Sequence, residues 1–161
     1  MEVEWKAFEL RPEEAELPEK SPEYLARAKA GVEALSKQYG LEMKWNRKSK
    51  HSRMALAGGK YAAEHGMAND YHEAVFRAQY QQEININDLS NLVEIADHLG
   101  FNKDEFREAV TSEHYQSLVL QDHAEAQNKG ITGIPCFIFK NQGVMGAQSY
   151  ESLVKLIKEE Y

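Results

Sequence analysis

Residues 136 to 147 read CFIFK, NQG, VMGA: two apolar runs on either side of an Asn and a Gly. Asn and Gly tolerate positive φ at a turn, and with apolar flanks the pattern predicts a two-stranded hairpin. This commits the end of the chain to sheet, whereas residues 52 to 129 read as helix throughout. Immediately ahead of the hairpin, GITGIP places Pro135 and then the single cysteine, Cys136, at the entrance to the first of these strands.

Composition narrows the class. The 161 residues suit one domain with a real core, needing neither metal nor disulfide staples. With 42% hydrophobic and 28% charged residues the chain is that of a folded protein. A net charge of −7 argues against a nucleic-acid partner, because phosphate binding needs clustered Lys and Arg. The basic run KWNRKSKHSR, residues 44 to 53, reads as a solvated connection. MEVEWKAFEL has neither the basic start nor the apolar run of a secretory signal, and no stretch approaches a membrane span, so no membrane partner is expected. With a lone cysteine that cannot pair internally, the chain reads as cytoplasmic.

Along the chain, residues 3 to 10 alternate, with Val3, Trp5 and Ala7 on one face and Glu4 and Lys6 on the other, which predicts a strand. Ser21 and Pro22 open a helix whose Tyr24, Leu25, Ala28, Val32, Leu35 and Tyr39 form a stripe, and Gly40 stops it. Helical patterns follow over 52–65 and 69–82. Asp88 caps a third pattern ending at Gly100, Asn102 and Glu105 open a fourth, and a fifth runs over about 112–129. After the hairpin, Ser149 caps a last helix with Tyr150, Leu153, Val154, Ile157 and Tyr161 on one stripe.

This order, with VEWKAFELRPE at the start, HSRMALAGGKYAAEHG and YHEAVFRAQYQQEININDLSNLVEIADHLG in the middle and GITGIPCFIFKNQGVMGAQ near the end, resembles the DsbA family of thioredoxin-like oxidoreductases, especially its FrnE-like branch. The resemblance implies an α/β (α+β) fold: a thioredoxin-like domain contributed by residues 1–51 and 130–161, interrupted by an all-helical insertion at 52–129. It also implies a cis bond before Pro135, which shapes a substrate groove. Ile134 would offer its backbone there to an extended peptide, as an added strand does.

The resemblance also sets an expectation of loss. Family members open with a strand and a C-x-x-C at a helix N-terminus, where the dipole stabilises a thiolate. Met1 aligns with the family's second strand, so the first strand, the dithiol and the first helix are expected to be absent. Disulfide exchange needs an attacking thiolate and a resolving thiol, and Cys136 cannot be both. The sheet, left without its central strand, should be rearranged or completed by a partner, with a homodimer the expected assembly.

Other chemistry fails on spacing. His72 and Glu73 begin H-E-x-x-H, but Phe76 stands where the second His belongs. His98, His114 and His123 read as solvated helix residues, and no metal or cofactor is expected. Gly58 and Gly59 lack the rest of a phosphate loop and read as close helix packing or a break. Phe76, Tyr80, Phe101 and Phe106 read as core, with the lining of a ligand groove as the alternative. The function expected is therefore a DsbA-like thiol–disulfide oxidoreductase impaired by the missing dithiol, in which Cys136 is the candidate attacking thiol while Ile134 and Pro135 bind substrate. On residue type alone, Cys136 reads as a small buried hydrophobe. The alternative is a non-catalytic module holding an extended peptide or small thiol. The kappa-type glutathione transferase and isomerase branch shares the fold and needs no dithiol, but its serine-bearing first helix is missing too.

Overall fold

The computed structural model describes residues 3–14 and 18–158. Among these, the elements in order are α1 (Pro22–Tyr39), α2 (Arg53–Glu64), α3 (Ala68–Tyr80), α4 (Leu89–His98), α5 (Lys103–Thr111), α6 (Glu113–Asn128), β1 (Cys136–Phe139), β2 (Gln142–Met145) and α7 (Tyr150–Lys158). The helix ends follow local chemistry. Ser21, Asp88, Asn102 and Ser112 accept hydrogen bonds from first-turn N–H groups, and Gly40 closes α1 at φ +64°.

The core lies inside the helical block. Helix α2 packs on α3, α4, α5 and α6, and Tyr71, Leu92, Val93, Phe106, Val110 and Val119 are fully buried there. Each apolar side chain removed from water in this way is worth about 1.5–3 kcal/mol. Gly58 permits the closeness. A Cβ on it would lie 2.7 Å from Tyr71 Cζ and 2.8 Å from Phe106 Cζ, so these glycines serve packing rather than a break. Phe106 is core and Phe101 packs against it, but Phe76 and Tyr80 are exposed, contrary to expectation.

Residues 3 to 10 are not a strand. A strand needs a neighbour to exchange hydrogen bonds with, and here the side chains of α6 take that place. Ala7 N–H donates to Asp122 Oδ2 at 2.7 Å and Glu9 N–H to His123 Nδ1 at 3.2 Å. Burial alternates only over 6–10, with Ala7 and Glu9 inside and Lys6 and Leu10 outside, while Val3 and Trp5, expected on the same face as Ala7, are exposed. Arg53, at the start of α2, clamps the segment: its guanidinium donates twice to Glu9, at 2.9 Å each, and to Glu14 at 2.7 Å. Arg53 holds the Glu14 carboxyl down at about 2. Asp122 also meets Lys60 and, at 3.7 Å, Lys6. Trp5 stacks on His72, 4.3 Å between centroids, and its indole N–H donates to Asn69.

The stripes on α1 and α7 behave differently from prediction. Neither helix has more than slight contact with other elements. Tyr24, Leu35 and Tyr39 are exposed on α1, where Ser36 is the buried residue. On α7 Leu156 is buried and Tyr150 exposed, while Tyr161 lies outside the described residues. An apolar stripe is buried only where another face meets it.

Candidate functional site

The site is built by the hairpin and the end of α6. β1 and β2 pair antiparallel, with Cys136 opposite Met145 and Phe139 opposite Gln142. The turn is Lys140–Asn141, and its left-handed residue is Lys140, φ +54°, rather than the Asn or the Gly expected. Gly146 N–H donates to Pro135 C=O at 2.7 Å, which makes 135/146, 137/144 and 139/142 the hydrogen-bonded pairs of an alternating ladder. Cys136 and Ile138 therefore turn their N–H and C=O groups away from β2. Among the described residues the sheet has only these two strands, so that edge of β1 is open. Residues 3–10 do not move in to pair with it.

Ile134 and Pro135 stand at the head of this edge. The bond between them is cis, as the resemblance implied. Both are exposed, Ile134 by 47%, and among the described residues none hydrogen-bonds the Ile134 backbone. Cys136 is half-buried and free rather than enclosed in the core. It lines an open hollow of about 470 Å³. Strand alternation places Cys136, Ile138, Gly143 and Met145 on the face that bounds this hollow, and Lys129, Ile131, Lys140 and Asn141 complete its wall and rim.

Cys136 is thus brought to a cavity, while Ile134 and Pro135 sit beside it without lining it. Lys129, Ile131, Lys140 and Met145 were not singled out from sequence. Lys129, directly ahead of GITGIPC, was the available signal, since with Gly130 it closes α6 where the hairpin approach begins. The histidines are elsewhere: His72 under Trp5, His123 under Glu9, His98 with Nδ1 2.6 Å from the Glu94 carbonyl. Among the described residues no three His, Cys, Asp or Glu side chains are grouped to hold a metal. Chemically the site can pair a backbone along β1 and present one thiol next to it.

Comparison with known proteins agrees with the fold. The profile of the DSBA-like thioredoxin domain matches residues 1–158. The uncharacterized protein YwbO of Bacillus subtilis is 28% identical over 99% of this chain and 82% of its own length. A probable DsbA oxidoreductase from Streptomyces coelicolor superposes with a TM-score of 0.77 and 25% identity, over 87% of this chain and 62% of the other. A 2-hydroxychromene-2-carboxylate isomerase shares the fold, with a TM-score of 0.70 and 19% identity over 76% of this chain and 60% of its own. This chain thus spans less than two thirds of either solved structure. Mostly helical, with a small antiparallel sheet, a proline-led hairpin and a helical insertion, the chain belongs to the DSBA-like thioredoxin domain family.

Proposed function

We propose that this chain binds an extended polypeptide segment along the open edge of β1, and that thiol–disulfide exchange on it stops at a mixed disulfide with Cys136. The observation that carries the reading is the edge at Cys136 and Ile138, unpaired among the described residues and headed by the exposed Ile134 and the cis bond to Pro135. Main-chain hydrogen bonds along such an edge supply affinity with little demand on sequence. In the exchange, the Cys136 thiolate attacks a substrate disulfide R–S–S–R′, forming Cys136–S–S–R and releasing R′–S⁻. A second thiol must then break the new bond, and this sequence has one cysteine. The groove therefore acts as a holder first and a redox centre second. The same reading places the chain in the FrnE-like branch and in a reducing compartment.

A second copy pairing through the same edge is the competing use, because an antiparallel edge is self-complementary about a twofold axis. Incubation of wild type and Cys136→Ser with a disulfide-bonded peptide, without added reductant and followed by intact-mass spectrometry, tests the exchange. Wild type alone should gain one mixed-disulfide adduct, and both should bind a cysteine-free extended peptide equally. An adduct on neither protein would remove the exchange and leave holding.

A further inference from the structure

We infer that residues 3–9 form an acid-released strap: protonation of His72 and His123 lifts this segment off α3 and α6, while Arg53 keeps its far end tied to α2. Among the described residues the segment has no main-chain hydrogen bond to any other backbone, so side chains alone hold it. Two of those holds need a neutral imidazole. Glu9 N–H donates to His123 Nδ1 at 3.2 Å, so that nitrogen carries no proton while the strap is on. An imidazolium donates from both nitrogens and would set N–H against N–H. His72 lies beneath Trp5, with ring centroids 4.3 Å apart and planes 23° apart. Burial, and secondarily Lys60, hold its pKa below the ordinary imidazole value. Lifting Trp5 returns this ring to water, so the released form takes up the proton more readily. Both holds have the same sign: the strap is secure above the ordinary imidazole pKa of about 6.5 and loosens as pH falls below it.

The surroundings of the two rings do not favour a positive charge. Lys60 of α2 acts on His72, and Lys6 lines the same small hollow, which no carboxylate lines. Tyr71 and Phe76 present rings at 6.3 and 6.0 Å. Around His123 stand the Phe8 ring, at 4.9 Å between centroids, and the Gln127 amide, at 3.1 Å. The carboxylates nearest in the structure are engaged elsewhere, Glu9 on Arg53 and Asp122 on Lys60 and Lys6. Against the two acid-sensitive holds stand Ala7 N–H on Asp122, Trp5 on Asn69 and the half-exposed Lys6 pairs, which are worth little. Arg53 keeps Glu9 and Glu14 through the same pH range, since both partners stay charged, and so marks the hinge. The freed segment, VEWKAFE, then has an alternating backbone open to a partner strand, which α6 otherwise denies it.

The test uses the full 161-residue chain, labelled with ¹⁵N, and amide hydrogen exchange read by NMR and corrected for the intrinsic effect of pH. Between about pH 7 and about pH 5.5 the protection of the Ala7 and Glu9 amides should fall about tenfold, as linked proton uptake requires. The Val110 and Val119 amides, deep in α5 and α6, should keep theirs over the same range. His123→Gln leaves an acceptor for Glu9 N–H that does not titrate, and His72→Phe leaves a ring under Trp5 that does not charge. Together they should hold the Ala7 and Glu9 protection level down to the carboxylate range. The imidazole ¹⁵N resonances of wild-type His123 should move in step with the loss of Glu9 protection, a readout that needs no variant. A His123 ring that protonates while the Glu9 amide stays protected would overturn the inference, as would a Glu9 amide unprotected at about pH 7. A parallel fall at Val110 and Val119 would overturn it as global unfolding. A fall that survives the double variant would overturn it too, by placing the release on Asp122 or Glu9.

Discussion

At the scale of single residues, Gly58 governs how closely its neighbours approach and His72 how stability responds to pH. Ala is the better helix former by about 1 kcal/mol, so propensity alone favours Gly58→Ala in α2. The position of Tyr71 and Phe106 reverses that sign, because overpacking a filled core costs about 1–3 kcal/mol. Gly58→Ala should lower the urea midpoint, and the loss should shrink in a Tyr71→Phe background, where the hydroxyl nearest the new methyl is gone. His72 sets a pH dependence. Burial under Trp5, and secondarily the charge of Lys60, hold its pKa below the ordinary imidazole value. The unfolded chain then binds the proton more readily than the folded one. Stability should fall as pH drops below about 6.5, and level off once the folded imidazole is protonated as well. Urea midpoints measured against pH should lose that slope in His72→Phe.

At the scale of elements, residues 3–10 and α1 show what a pattern can and cannot specify. Alternation marks Ala7 as an inward side chain, but Val3 and Trp5 on the same face are exposed, and the surface the segment lies on is helical. The segment is held by Arg53, 7% exposed at its side chain, against Glu9, 1% exposed. Removing one member leaves the other charge buried without its partner. Arg53→Met should therefore cost about 3–5 kcal/mol, read from urea unfolding, whereas Arg53→Met with Glu9→Leu should recover most of it. Glu14 adds an acid-sensitive contact. Its carboxyl is held at about 2 by Arg53, so its contribution is present above the ordinary carboxylate range and is lost as pH falls toward that value. Helix α1 has good caps at both ends and an exposed stripe, so its ends are locally specified while its packing is not.

At the scale of the whole molecule, stability and the candidate site are separated. Nearly all fully buried apolar residues lie in α2–α6, while the hairpin, α1 and α7 expose Phe137, Ile138, Leu35, Tyr39 and Tyr150. Native-state hydrogen exchange should show the slowest amides in α2, α5 and α6, with α1, β1 and α7 opening well below the global unfolding free energy. Uniform protection across both regions would contradict this division. Sequence by itself determined the helices and their ends, the hairpin, the family and the cis-prone Ile134–Pro135 step. Those features rest on bonds and caps between residues a few positions apart, or on short motifs that can be read in order. Tertiary structure alone decided that residues 3–10 lie on helices, that Lys140 makes the turn, that Cys136 faces a hollow with Lys129, and that β1 keeps an open edge. A helix satisfies its own backbone from within, but a strand, a groove or a buried charge depends on which distant surface comes to meet it.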